Sequence, residues 1–99
     1  MSERQGKLER SIARILSETI PELSDPRVPM IVTVERVRLS TDLTSARVLV
    51  SAFGDDVDEA DMLSALNRAS GLLQRSIARE LKLRNTPKLS FYTEPREVL

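Results

Sequence analysis

The sequence predicts an α+β fold: a single two-layer domain in the order αββααβ, with a three-stranded mixed sheet and helices packed on one face. Three observations predict it. Apolar residues recur at helical spacing over residues 3–21 and again over 62–81. β-branched and apolar residues dominate 30–40, 46–53 and 89–93, which read as strands. The 99 residues suffice for one hydrophobic core and not for two. One domain over 1–99 is therefore expected, with its core at about 4–93 and a short tail, 94–99.

In the first helix Leu8, Ile12, Ile15, Leu16 and Ile20 share one face, and the outer face alternates Glu and Arg. Pro21 and the following Ser24-Asp25-Pro26 end it, because a residue before proline is pushed out of helical geometry. In the stretch MIVTVERVRLS, residues 30–40, Val32 and Val34 share one phase while Val37 and Leu39 share the other. Such a phase change at Glu35-Arg36 predicts a β-bulge or a strong twist, since a period of two cannot otherwise switch faces. Residues 40–44, STDLT, supply turn chemistry for a reversal into a second strand. There Ala46, Val48, Val50 and Ala52 occupy one face, and Arg47, Leu49, Ser51 and Phe53 the other. Phe53 and Phe91 are expected in the core, with Tyr92 open to solvent.

Residues 54–62, GDDVDEADM, carry five acids and no base. They suit an exit loop and the first turn of a helix, where the macrodipole favours negative charge. The apolar stripe of that helix, Met62, Leu66, Ala69, Leu73, Ile77 and Leu81, runs straight through Gly71. Glycine inside a helix costs roughly 1 kcal/mol relative to alanine. Small residues at 69–71 predict either a kink or close packing against another backbone. After Thr86-Pro87, residues 89–93 form a short last strand, reached by a right-handed helical crossover that allows it to run parallel to its neighbour. The tail EPREVL is short and polar, so it is expected to fray.

Composition excludes several function classes. Cysteine and histidine are both absent, which removes disulfides, Cys/His zinc sites and a histidine base. No nucleophile elbow, phosphate-binding glycine loop or dinucleotide fingerprint occurs. An enzyme, a metal, a cofactor and a small-molecule substrate are all unexpected. No apolar run approaches the roughly 20 residues of a membrane span. The opening MSERQGKLER lacks the apolar core of a signal peptide, so a cytoplasmic address is expected and no membrane partner.

The formal net charge is zero, but its distribution is not uniform. Residues 68–88 hold Arg68, Arg75, Arg79, Lys82, Arg84 and Lys88 against the single acid Glu80. Arg68, Arg75, Arg79 and Lys82 follow at intervals of 7, 4 and 3, which along one helix would place them on one face. A solvated outer face explains such a stripe, and so does a phosphate-binding surface, which the excess of arginine suits. A kink would give the second half of the helix an N-terminus able to face an anion. Arg27, in Asp25-Pro26-Arg27, and Arg36, Arg38 and Arg47 on the open sheet face fit either accessory phosphate contacts or ordinary solvation. A protein-interaction module with no direct nucleic-acid contact is the alternative reading of these charged surfaces.

The αββααβ order with a small-residue break between its last two helices resembles a type II KH domain. Ala69-Ser70-Gly71 stands where such domains carry a Gly-x-x-Gly loop. With Asp25-Pro26-Arg27, Val32-Thr33-Val34, residues 40–43 (STDL), Ala46-x-Val48, residues 66–75 (LNRASGLLQR) and Leu83-Arg84-x-x-Pro87-x-Leu89-x-Phe91, the chain closely resembles the ribosome-binding factor A family over roughly residues 8–93. That resemblance implies a non-catalytic rRNA chaperone that binds the small (30S) ribosomal subunit, assists 16S rRNA maturation and supports growth in the cold. It also implies that Ala69, Ser70 and Gly71 form an interhelical kink. The family pattern usually continues past the third strand with an acidic segment and a further helix; here Thr93-Glu94-Pro95 leads to Leu99. A free monomer is expected.

Overall fold

The computed structural model describes residues 3–99, so Met1 and Ser2 of the expected domain lie outside the described residues. Helix α1 spans Glu3–Thr19 and tightens into a one-turn 3-10 segment, Ile20–Glu22, which accommodates Pro21. Strands β1 (Val32–Leu39) and β2 (Ser45–Ala52) come next, then helices α2 (Glu59–Arg68) and α3 (Ser70–Leu81), strand β3 (Lys88–Tyr92) and a closing 3-10 turn, Pro95–Val98. The order is the expected αββααβ.

The sheet order is β1-β2-β3, antiparallel between β1 and β2 and parallel between β2 and β3. The phase change read in the sequence is a β-bulge. Val34 pairs with Val50 and Arg36 with Leu49, leaving Glu35 as the extra residue. With one residue bulged out, Val32 and Val34 before it and Val37 and Leu39 after it all pack against the helices. In the hairpin turn the Asp42 carboxylate accepts from the Ser40 hydroxyl, the Thr44 hydroxyl and the Thr44 backbone N–H at 2.8, 2.8 and 3.1 Å. These bonds hold Asp42 below the usual carboxylate range, the hydroxyl of Thr44 contributing most.

All three helices lie on one face of the sheet. Ile12, Ile15 and Leu16 of α1, Met62 and Leu66 of α2, and Leu73 and Ile77 of α3 meet Val37, Leu39, Val48, Val50, Leu89 and Phe91 in one core. Burying each such side chain contributes about 1.5–3 kcal/mol. The radius of gyration is 12.9 Å, close to the roughly 13 Å expected for about 100 compactly folded residues.

Two expectations are corrected. The C-terminal segment does not fray: its 3-10 turn folds back over the other face of the sheet, touching all three strands. Val98 and Leu49 are both buried there, outside the main core. The polar composition of EPREVL concealed one apolar side chain with a place to go. Phe53 is not a core residue. It is 90% exposed, whereas Phe91 is 3% exposed. Alternation along β2 puts Phe53 in phase with Arg47, Leu49 and Ser51, away from the helices, and the C-terminal turn leaves it uncovered.

Candidate nucleic-acid interface

Helix α2 ends at Arg68 and α3 begins at Ser70, so the break falls at Ala69, whose φ and ψ are −83° and 0°. Asp58 starts α2 by accepting the Asp61 backbone N–H at 3.0 Å, and Lys82 ends α3 in a left-handed conformation. No side chain caps α3 at its N-terminus. Ala69 packs against the core, while Gly71 is exposed and a Cβ built on it would meet nothing within 4 Å. Close packing inside the protein therefore does not explain the glycine. Nor does backbone geometry, since among the described glycines only Gly54 has positive φ.

The break divides the basic residues. Arg68 closes α2 and lies close enough to Asp25 to help hold that carboxylate ionised. Arg75 and Arg79, one turn apart on α3, line an open cleft of about 640 Å³ with exposed Leu72. Its opposite wall is the end of α1 and the segment just beyond it: Thr19, Glu22, Leu23 and Ser24. Neither arginine takes part in any described ion pair. Glu22 is the one acid in the lining, and Glu80, the lone acid of the basic stretch, is held at 2.9 Å by Arg14 of α1. Lys82 and Arg84 are exposed where the chain leaves α3. Lys88 alternates with the inward-facing Leu89 and belongs to the other sheet face. The intervals counted along one unbroken helix thus do not describe one face.

The accessory arginines differ in what holds them. Arg27 forms a two-pronged pair with Asp25: its Nη2 donates to Oδ2 at 2.9 Å and its Nε to Oδ1 at 3.2 Å, while its backbone N–H also donates to Oδ1. The pair and the backbone bond lower the Asp25 carboxyl to about 2. Arg47 donates to the Glu97 carbonyl at 3.0 Å and the Leu99 carbonyl at 3.5 Å, and so pins the C-terminal turn. Arg38 stands opposite Arg47 across the ladder, and Arg36 opposite Leu49. Two polar side chains that sequence reasoning placed on outer helix surfaces or passed over hold the scaffold: Glu9 and Asn67 reach the backbone of β1 and β3. Their signal was position, on the helix flank next to an edge strand.

Comparison with known proteins gives a consistent result. The family described as Ribosome-binding factor A matches residues 4–97. Ribosome-binding factor A of Nitrosococcus oceani is 42% identical over 84 residues, covering 85% of this chain. The chain spans 63% of that relative's length. The crystal structure of ribosome-binding factor A from Thermus thermophilus superposes with a TM-score of 0.77 at 39% identity, covering 90% of this chain and 94% of that one. Thermus thermophilus coordinates fitted into a cryo-EM map of a complex of that factor with 30S superpose with a TM-score of 0.75 at 38% identity, covering 93% and 97%.

Proposed function

The chain belongs to the ribosome-binding factor A family, and from that premise we propose that it binds the small ribosomal subunit and assists late maturation of 16S rRNA as a non-catalytic chaperone. The relative fitted into a 30S map supports the choice of partner. The protein acts in the cytoplasm as a monomer when free, and its contribution is largest in the cold, where misfolded RNA helices escape slowly. No described helix is long and apolar enough to cross a membrane.

The observation that carries the reading is the pair Arg75 and Arg79, exposed along α3 and in no described ion pair. Their guanidinium forks suit phosphate oxygens, and Arg68, Lys82 and Arg84 extend the charge beyond both ends of the helix. Lys88, Arg36 and Arg38, on or beside the other sheet face, add contacts only if RNA wraps the sheet edge. Arg27 and Arg47 are already engaged by the protein and contribute least. No aromatic side chain lines the cleft. Recognition is therefore by backbone and shape, and affinity falls steeply with salt.

Sedimentation with purified small subunits tests this. Arg75→Glu/Arg79→Glu should stay folded, lose most subunit binding and lower the salt slope by about one unit for each phosphate it no longer neutralises. Unchanged subunit affinity in the folded double variant would remove the α3 cleft from the mechanism.

A further inference from the structure

The last pair of the β1–β2 ladder is Val32 with Ala52, so the residues just outside it leave the sheet at one end. There Met30, Ile31 and Phe53 are 92, 63 and 90% exposed. Scattered exposed apolar residues need no explanation, but three large ones gathered at one end mark an interaction surface. Ile31 directly precedes paired Val32 and Phe53 directly follows paired Ala52, so the ladder holds these two side by side.

The same residues line a hollow of about 320 Å³ together with Val57, Asp56 and Asp58. Asp55 and Glu59 flank it in sequence, and no lysine or arginine occurs between Arg47 and Arg68. None of these four acids enters a described ion pair, although Asp58 spends one oxygen capping α2. The rim therefore repels phosphate, and a second copy docked through the same patch would set acids against acids.

We propose that this end of the molecule is a second docking surface, for a lysine- and arginine-rich polypeptide segment carrying a large apolar side chain. The apolar side chain enters the hollow between Met30 and Phe53, and the cations meet Asp55 and Asp56. The basic cleft on α3 and this acidic, apolar end then engage different chemistries, RNA at one and protein at the other.

The probe is a short fluorescein-labelled peptide of lysine, arginine and glycine with one central leucine, titrated into the full chain at low salt. Phe53→Ser and Asp55→Lys/Asp56→Lys should each weaken binding at least about tenfold, equivalent to about 1.4 kcal/mol. Replacing the peptide's leucine by glycine should do the same. Because Phe53 is exposed, thermal stability should not change, and a 16S rRNA fragment titrated in parallel should keep its affinity for Phe53→Ser. Unchanged peptide affinity in Phe53→Ser overturns the proposal. So does a loss of rRNA affinity in that variant, which would make Phe53 a base-stacking residue. Concentration-dependent self-association abolished by Phe53→Ser would overturn it in favour of a second copy. The peptide is titrated without ribosomal subunits, so failure of Arg75→Glu/Arg79→Glu to affect subunit binding leaves this result standing.

Discussion

The Glu9 carboxylate, on α1, accepts a 2.8 Å hydrogen bond from the backbone N–H of Leu39 at the end of β1. One turn earlier Gln5 donates to the Leu39 carbonyl at 3.0 Å. At the opposite edge of the sheet, Asn67 of α2 accepts the backbone N–H of Phe91 at 3.1 Å while donating to the Leu63 carbonyl at 2.9 Å. β1 and β3 are the two edges of the sheet. Edge strands leave backbone groups unpaired, and here helices α1 and α2 supply side chains to meet them.

Glu9 is only 8% exposed, so removing its carboxylate leaves a buried N–H without a partner. Glu9→Ala should destabilise the protein by about 1–3 kcal/mol, whereas Glu9→Gln keeps an acceptor and should cost less. Urea unfolding of the two variants checks this, and exchange of the Leu39 amide should quicken in Glu9→Ala alone. Equal destabilisation would mean that the hydrogen bond contributes nothing.

The C-terminal turn is held by one apolar side chain and one guanidinium. Val98 is fully buried, and Arg47 donates to carbonyls on either side of it. Val98→Ala should cost about 1–2 kcal/mol for the two methyl groups removed. Val98→Asp should release the turn, uncover Leu49 and open the segment after Tyr92 to proteolysis. Limited digestion of the three proteins should rank them wild type, Ala, Asp in increasing cleavage; equal rates would show that the turn is held by other contacts.

The elements were legible in the sequence because their hydrophobic periods are strong. Five helix positions from Leu8 to Ile20 and the stripe from Met62 to Leu81 left little choice, and even the bulge at Glu35 showed as a change of phase between Val34 and Val37. What was not legible depends on contacts far apart in the chain. Val98 looked like the end of a polar tail because its partner face lies on β2, some 50 residues away by the spacing of Arg47 and Glu97. Phe53 looked like core because aromatic residues usually are, yet its phase on β2 already separated it from Val48 and Val50. At the candidate site the basic residues were visible, but their division was not: a break at Ala69 and the left-handed Lys82 interrupt the face that their spacing describes.

The Asp25–Arg27 pair makes the loop before β1 sensitive to acid. Arg27 lowers the Asp25 carboxyl from the ordinary 3.8 to about 2. A carboxyl whose folded pKa lies below its unfolded one stabilises the fold fully above the unfolded value, and that contribution disappears as pH falls through the folded value. The pair should therefore persist at pH 4 and break near pH 2. Carboxyl-carbon NMR should give Asp25 a midpoint near 2 in the wild type and a higher one, still below the ordinary 3.8, in Arg27→Ala, which keeps the backbone hydrogen bond and Arg68. A wild-type midpoint already at the ordinary value would show that the pair does not persist in solution.

Gly71 separates the demands of the fold from those of the partner. It lies in the first turn of α3, and a methyl group there meets nothing. Gly71→Ala should therefore leave the break at Ala69 in place and stabilise the protein by up to about 1 kcal/mol, because alanine has less backbone freedom to lose and higher helix propensity. If rRNA backbone approaches the start of α3 closely, the same methyl group should weaken subunit binding in a protein that melts at a higher temperature. Paired thermal melts and subunit sedimentation measure both effects. Higher stability with full binding would leave Gly71 without a role at the interface, and lower stability would show that it serves the fold through a strain not evident in its surroundings.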